Sequence, residues 1–341
     1  MTEKISYHAL NRAWRGSYQS LSAAREQYPT WTAAWQAYQK QRVISFDCEN
    51  QWRELERKGV QLILQNESAF PRLLREIPWP PHGVYVRGKL PDPERYLAIV
   101  GTRRATPQGR ETAHWFAEEL ARGGGTIVSG LAFGIDVAAH TGCLDGQGQA
   151  VAVLASGPDE ITPRTNRAIA ERILAGAGAI ISEYPPDTEP LPHRFLERNR
   201  IVSGLSRGVV IIEAPERSGS LATARFALEQ NRDVFVVPGP IRHPNFVGSH
   251  KLIQAGADLV THPQEILERY GWATRSASET EQFASPEEQQ IIRFLGDQIR
   301  PAGIDKIAES TKLDTRTVSE VITLLILKGK VAEAGGGYAI A

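Results

Sequence analysis

Six short apolar runs constrain this chain more than any other feature: Leu97–Val100, Thr126–Val128, Ala150–Leu154, Ala179–Ile181, Val209–Ile212 and Val234–Val237. They are almost continuously apolar rather than alternating, the pattern of parallel strands covered on both faces. The stretches between them are long enough for a helix and its two loops. The expectation is an α/β fold, an extended Rossmann-type doubly wound parallel sheet. On such sheets ligands bind at the carboxyl ends of the strands, so the residues after each run are the ones to inspect.

Two zones flank this core. Residues 1–60 read as an N-terminal helical domain, polar and tryptophan-rich (Trp14, Trp31, Trp35, Trp52). Trp31 and Trp35, four apart, fit one packed helix face; stacking on bases is the other use of such rings. The Rossmann domain is expected over 61–272, a polar linker over 273–285, and a winged helix over 286–341. In that last zone a helix at Glu287–Phe294 precedes a helix-turn-helix at Gly303–Lys328, with its turn near Leu313-Asp314. A strand at Val331–Ala332 and the segment Gly335–Tyr338 complete the wing. Its second helix, Thr315–Leu327, offers Arg316 but also Glu320 and is otherwise apolar or hydroxylic, a poor set for reading base edges. Protein contact or weak backbone binding is expected of it.

Composition sets outer limits. Lys+Arg 39 against Asp+Glu 39 in 341 residues gives no overall charge favouring a polyanion, so only local clustering can do so. The 41% hydrophobic content is that of a globular chain. Two cysteines, Cys48 and Cys143, supply no disulfide framework, and no leader-like or membrane-length segment occurs. A cytoplasmic protein without membrane contact is expected.

The segment Thr126–His140, TIVSGLAFGIDVAAH, runs from a β-branched strand through Ser129-Gly130 into a helix beginning near Gly134. Glycines there are expected to leave backbone N–H groups bare and directed outward, as a cradle for phosphate. The first strand is followed by Gly101-Thr102-Arg103-Arg104-Ala105-Thr106. Arg103 and Thr106 stand where a dinucleotide fingerprint has glycines, no acid ends the second strand, and no Walker sequence occurs, so NAD, FAD and ATPase chemistry are not expected. The arginine pair suits phosphate oxygens; pairing with Glu118 or Glu119 is the alternative, more so for Arg104. After the third strand, Arg164 and Arg167 stand at the amino end of a helix that Thr165 or Asn166 can cap, where a cation fits best if an anion also arrives. The run His193–Arg200 places basic groups around Phe195, as in a nucleic-acid groove or on a solvated helix face. Ser218-Gly219-Ser220 opens a helix and offers either a plain N-cap or an oxyanion site. Four loops thus supply anion-binding groups across one crevice, more than a single small phosphate needs.

The ordered set VGTRRAT, SGLAFGIDVAAH, ISEYPP, RNRIVSGLSRG, EAPERSGSLATA, VVPG and GSHKLIQAGA resembles the DNA-processing protein A (DprA/Smf) family over about residues 60–265. The resemblance implies a domain that binds single-stranded DNA without cofactor or catalysis and forms homodimers. It also implies loading of RecA recombinase onto incoming DNA in natural transformation. By motif, Arg103, Ser129, Gly130 and Arg164 with its neighbours Asn166 and Arg167 would hold phosphates. Arg198, Asn199, Arg200, Ser218, Gly219 and Ser220 would complete the groove, and Leu228, Ile253 and Leu259 the dimer contact. Thr162 and Leu196 depart from the family pattern without removing charge. The N-terminal zone lacks the helix-hairpin-helix signature of many relatives and is assigned no DNA role.

Two enzyme readings compete. Asp136 and His140, at i and i+4, form either an acid–base pair or a structural contact shaping the loop; no nucleophile or third ligand accompanies them. Glu183 and Glu213 end strands and are expected to orient arginines. The nucleotide-cleaving lysine-decarboxylase-like (LOG) family carries Pro-Gly-Gly-x-Gly-Thr-x-x-Glu in a comparable place. Here SGSLATARF puts Phe226 at the catalytic glutamate, and an apolar ring does no acid–base work.

Overall fold

The structure, a computed structural model, describes residues 1–42, 46–272, 285–296, 298, 301–327 and 329–340. Apart from Ser285, the expected linker lies outside these residues. The chain divides into two compact units, Met1–Thr274 and Arg275–Ala341.

The first unit opens with four helices, α1 (Glu3–Ala13), α2 (Tyr18–Gln27), α3 (Trp31–Gln41) and α4 (Cys48–Arg57). Side chains of Thr2, Ser17, Thr30 and Asp47 cap their first turns. Trp31 and Trp35 are buried on one face of α3, packed with Tyr7, Leu10 and Leu21, so both rings serve the core.

The sheet follows, with strands β1 (Val60–Leu64), β2 (Gly83–Gly88), β3 (Tyr96–Val100), β4 (Thr126–Ser129), β5 (Ala150–Leu154), β6 (Ala179–Ser182), β7 (Gly208–Ile211), β8 (Asp233–Val236) and β9 (Asp258–Leu259), and the short helix α5 (Arg72–Arg75) between β1 and β2. All six expected strands form. Among the described residues the order is β1-β2-β6-β5-β4-β3-β7-β8-β9; β3 to β9 are parallel, and β1 and β2 pair antiparallel at one end. The two antiparallel strands were not anticipated. Val60, Leu62 and Leu64 face the N-terminal helices, whereas Ile63 faces the sheet's own core, so β1 stands between two hydrophobic cores.

Central strands send alternate residues into two cores. Leu97, Ile99, Ile127 and Ile180 pack with helices α6 (Pro107–Arg122), α7 (Ile135–Asp145) and α8 (Arg167–Ala175) on one face. Ala98, Val100, Val128 and Ile181 pack with α9 (Pro192–Leu205) and α10 (Gly219–Glu229) on the other. Burial on both faces is why these strands read as continuous apolar runs. Because β3 lies between β4 and β7, the loops after β3 and β7 diverge to opposite faces and open a crevice between them.

The second unit holds helices at Pro286–Gly296, Ile304–Thr311 and Thr315–Leu327 and a hairpin of Val331–Ala334 with Gly337–Ile340. Ile291, Ile307, Val318, Ile322 and Val331 form its core. This is the arrangement expected of a winged helix.

Candidate nucleic-acid interface

The crevice at the switch point is a cleft of about 650 Å³, walled by the loop after β3, the glycine loop after β4, the first half of α9 and the start of α10. Its first wall is pinned from beneath. Glu213, at the end of β7 and fully buried, accepts hydrogen bonds from Thr106 N–H (3.1 Å), the Thr106 hydroxyl and Asn245 Nδ2 (2.8 Å). The Thr106 hydroxyl in turn accepts from Gly109 N–H (2.9 Å) and caps α6. A Cβ on Gly109 would fall 2.2 Å from the Glu213 carboxylate, so only glycine fits there. Glu213 orients backbone and not an arginine, contrary to the sequence expectation.

The pinned loop leaves Arg103 and Arg104 exposed at the cleft, with Arg217 exposed on the opposite wall. Among the described residues none of the three forms an ion pair. Glu118 and Glu119 are instead taken by Arg122, so the alternative pairing, weighed most for Arg104, does not form. The Arg103 guanidinium lies 4.5 Å from the centre of the Phe195 ring, a cation–π platform on the cleft wall.

The glycine loop differs from its expectation. The Ser129 hydroxyl is buried and donates to Ile99 O (2.7 Å). The Gly130 and Ala132 N–H groups donate to Asp136 Oδ2, at 3.1 and 3.3 Å, so a side chain of this chain occupies the acceptor position expected for phosphate. Beneath the loop lies Arg198, 4% exposed, donating to Gly130 O (2.8 Å) and to Val153 O. Burial lowers the Arg198 pKa to about 10, against the pull of Asp136, and the group stays charged at neutral pH. Burial pushes the Asp136 carboxyl up, opposed by Arg198 and the two amides. His140 makes no hydrogen bond from either ring nitrogen among the described residues, so no hydrogen bond joins Asp136 and His140. Burial, then the nearby Arg198, holds His140 down to about 3, neutral in the folded protein.

Of the other expected site residues, Asn199 borders the cleft and donates from Nδ2 to Gly219 O (3.2 Å), tying α9 to the start of α10. Ser218, at the N-cap of α10, makes no side-chain capping bond; its hydroxyl pairs with that of Ser220 at 2.7 Å. The first amides of α10 therefore lack a side-chain acceptor where Ser218, Gly219 and Ser220 line the cleft. Arg200 points away from the cleft and grips Glu183 through Nη2, at 2.6 and 2.8 Å. Burial raises the Glu183 carboxyl while Arg200 opposes the rise. Asn166 is buried and donates to Leu131 O (2.9 Å), supporting the glycine loop rather than capping α8. Arg164 and Arg167 are exposed, without ion pairs among the described residues, and stand outside the cleft lining. Leu228 and Leu259 are exposed, and Ile253 is half-buried against the core.

The family motif thus carried in Arg198 and Arg200, which turn inward, and left Arg217 unassigned, although it lines the cleft with Arg104, for which pairing with an acid was the weightier alternative. The signal for Arg217 was its place just before Ser218-Gly219-Ser220 after an apolar strand.

The profile of the family described as DNA recombination-mediator protein A matches residues 61–271. The chain belongs to this family. A second profile, the DprA winged helix domain, matches residues 273–337. Protein Smf of Escherichia coli (strain K12) is 40% identical over 316 residues, covering 88% of this chain and 83% of that protein. The crystal structure of DNA processing protein A from Streptococcus pneumoniae superposes with a TM-score of 0.60 and 34% identity, over 69% of this chain and 81% of that one. DNA processing protein A from Helicobacter pylori, described for its single-stranded DNA binding mode, gives 0.55 and 30%, over 62% and 94%. In this member of the family, VGTRRAT, RNRIVSGLSRG and EAPERSGSLATA are the segments that bring Arg103, Asn199 and Ser218 to the cleft. Among the described residues no helix is long and apolar enough to cross a membrane, and no His/Cys/Asp/Glu cluster is placed to hold a metal ion.

Proposed function

We propose that this chain binds single-stranded DNA along the switch-point cleft, without catalysis, and presents it to the RecA recombinase during uptake of DNA. One observation carries the reading: Arg103 and Arg104 stand across the cleft from Arg217 and a helix start without a side-chain cap, none of the three arginines has an acidic partner among the described residues, and the one lining carboxylate, Asp136, is consumed by backbone amides. Such a surface attracts phosphates at several points. The Arg103–Phe195 platform adds a flat face for an unpaired base, which a duplex keeps stacked inside. The family relationship and the H. pylori relative's described DNA binding support the same reading.

In this reading Arg164 and Arg167, outside the cleft, extend the phosphate track, and Leu228, Ile253 and Leu259 serve self-association and the recombinase. The winged helix is assigned to protein contact: Leu324, Ile326 and Leu327 are exposed on its third helix, Thr315–Leu327, and Arg316 is spent on Glu320 at 3.0 Å.

Fluorescence anisotropy with labelled oligomers over a salt series tests it. The expected result is preference for single strands, no sequence demand and a steep loss of affinity with salt. Arg103→Glu should cost about 1–3 kcal/mol, by analogy with charged hydrogen bonds, and shallow the salt slope. Unchanged binding by Arg103→Glu, or turnover of nucleoside monophosphates, defeats the reading.

A further inference from the structure

A second cleft, of about 740 Å³, lies on the other side of α9. Phe195, Asn199 and Val202 face the first cleft, whereas His193, Glu197 and Arg200 face the second, and Leu196 borders both. Five aromatic rings line it: Trp14 and Tyr18 from the α1–α2 region, Trp79 from the segment before β2, Tyr184 after β6 and Phe226 on α10. Trp79 is 52% exposed, although most large rings of the N-terminal region pack inward.

The pocket is built rather than incidental. Arg15 and Gly16 turn the chain with φ of 52° and 79°, and a Cβ on Gly16 would meet the Tyr184 ring at 2.4 Å. Arg194 ties the turn to α9 by donating to Arg15 O (2.9 Å), and its guanidinium stacks on Tyr184 at 4.9 Å. The Tyr184 hydroxyl donates to Glu197 (2.7 Å). In the wall, Arg200 neutralises Glu183 through Nη2 and lies against the Tyr18 ring at 5.1 Å. Its Nη1 is buried without a hydrogen-bond partner among the described residues. The wall therefore offers ring faces beside an internally neutralised ion pair, which suits a flat neutral ring and not a phosphate. At the rim, exposed Arg15 makes no ion pair among the described residues and suits the phosphate beside such a ring.

We infer that this second cleft receives an unstacked nucleobase of the strand held in the first cleft, so that the N-terminal helical region takes part in DNA binding. The inference rests on the proposed function. It assigns a task to a region that the sequence left without one, and makes Leu196 the ridge over which the strand passes.

The test uses the full chain and two oligomers of equal length, oligothymidylate and an abasic phosphodiester, with affinity read by anisotropy. Trp79→Ala and Phe226→Ala should each weaken oligothymidylate about tenfold and leave the abasic oligomer unchanged, because base stacking alone is lost. Trp79→Phe, which keeps a ring, should restore most of the affinity. The exposed position of Trp79 makes its truncation compatible with folding, which far-UV circular dichroism checks. Unchanged oligothymidylate affinity in both alanine variants, or equal losses on the two oligomers, overturns the inference. Arg103→Glu run alongside separates the two claims. If it weakens both oligomers while the alanine variants do nothing, the first cleft stands and the second serves another ligand, a protein segment included. If it weakens neither, the proposed function itself falls.

Discussion

A Cβ added to Gly130 would stand 2.3 Å from both terminal nitrogens of Arg198, and Nη1 is fixed by the carbonyls of Gly130 and Val153. A surface arginine would swing aside, but this one is buried and has no room. Gly130→Ala should therefore destabilise the fold by about 1–3 kcal/mol through overpacking, measured by chemical denaturation. An alanine variant as stable as the parent would show that Arg198 relocates freely. At this scale the sequence was a partial guide. Arg103, Arg198 and Arg200 are the same residue type near glycines or helix starts, and composition does not distinguish a guanidinium facing solvent from one whose donors are used by carbonyls or by Glu183. Which way an arginine points depends on long-range partners such as Val153 O and Glu183, 45 and 17 residues away.

Helix α10 begins at the cleft with a serine that makes no capping bond. An acid at that position supplies the missing acceptor and complements the helix dipole, but it also occupies the place proposed for phosphate. Ser218→Asp should raise stability by about 0.5–1 kcal/mol in urea denaturation while weakening single-strand binding in anisotropy. Loss of both, or gain of both, would separate the helix start from the DNA. Elements were the most legible level. The six parallel strands announced themselves because burial on two faces forces apolar residues at nearly every position. Strands β1 and β2 did not, since VQLIL and GVYVRG mix polar with apolar positions at the sheet's antiparallel end, where the two faces meet different cores. The glycine loop was placed correctly between β4 and α7, with Gly134 at φ 78° before the helix, but the direction of its amides was not legible. That direction follows from one side chain, Asp136, folding back within the first turn of α7.

For the molecule as a whole, buried neutral histidines contribute to the response to acid. Burial, with Arg12 and Arg198 as the next causes, holds His8 and His140 down to about 3, against an ordinary value of about 6.5. In the unfolded chain both take up protons below about pH 6.5 that the folded protein refuses until about pH 3. Their contribution is thus complete above about pH 6.5 and lost as pH falls toward 3, at up to about 1.4 kcal/mol per pH unit for each histidine. His140→Leu should flatten the fall in stability between pH 6 and 4.5 by about that amount, measured from urea midpoints; an unchanged slope would mean that His140 charges in the folded state. Under the proposed function Asp136 bears on a different property of the whole protein, its choice among phosphates. Free mono- and dinucleotides are the natural competitors of any phosphate site, and a common way to seat their phosphates is a glycine loop whose amides are vacant. Here an aspartate fixed to the next helix already sits in that seat. Under the proposed function a lone nucleotide would find that seat taken, whereas a polymer would need only the arginines along the rim, so that the internal carboxylate would act as a filter on chain length.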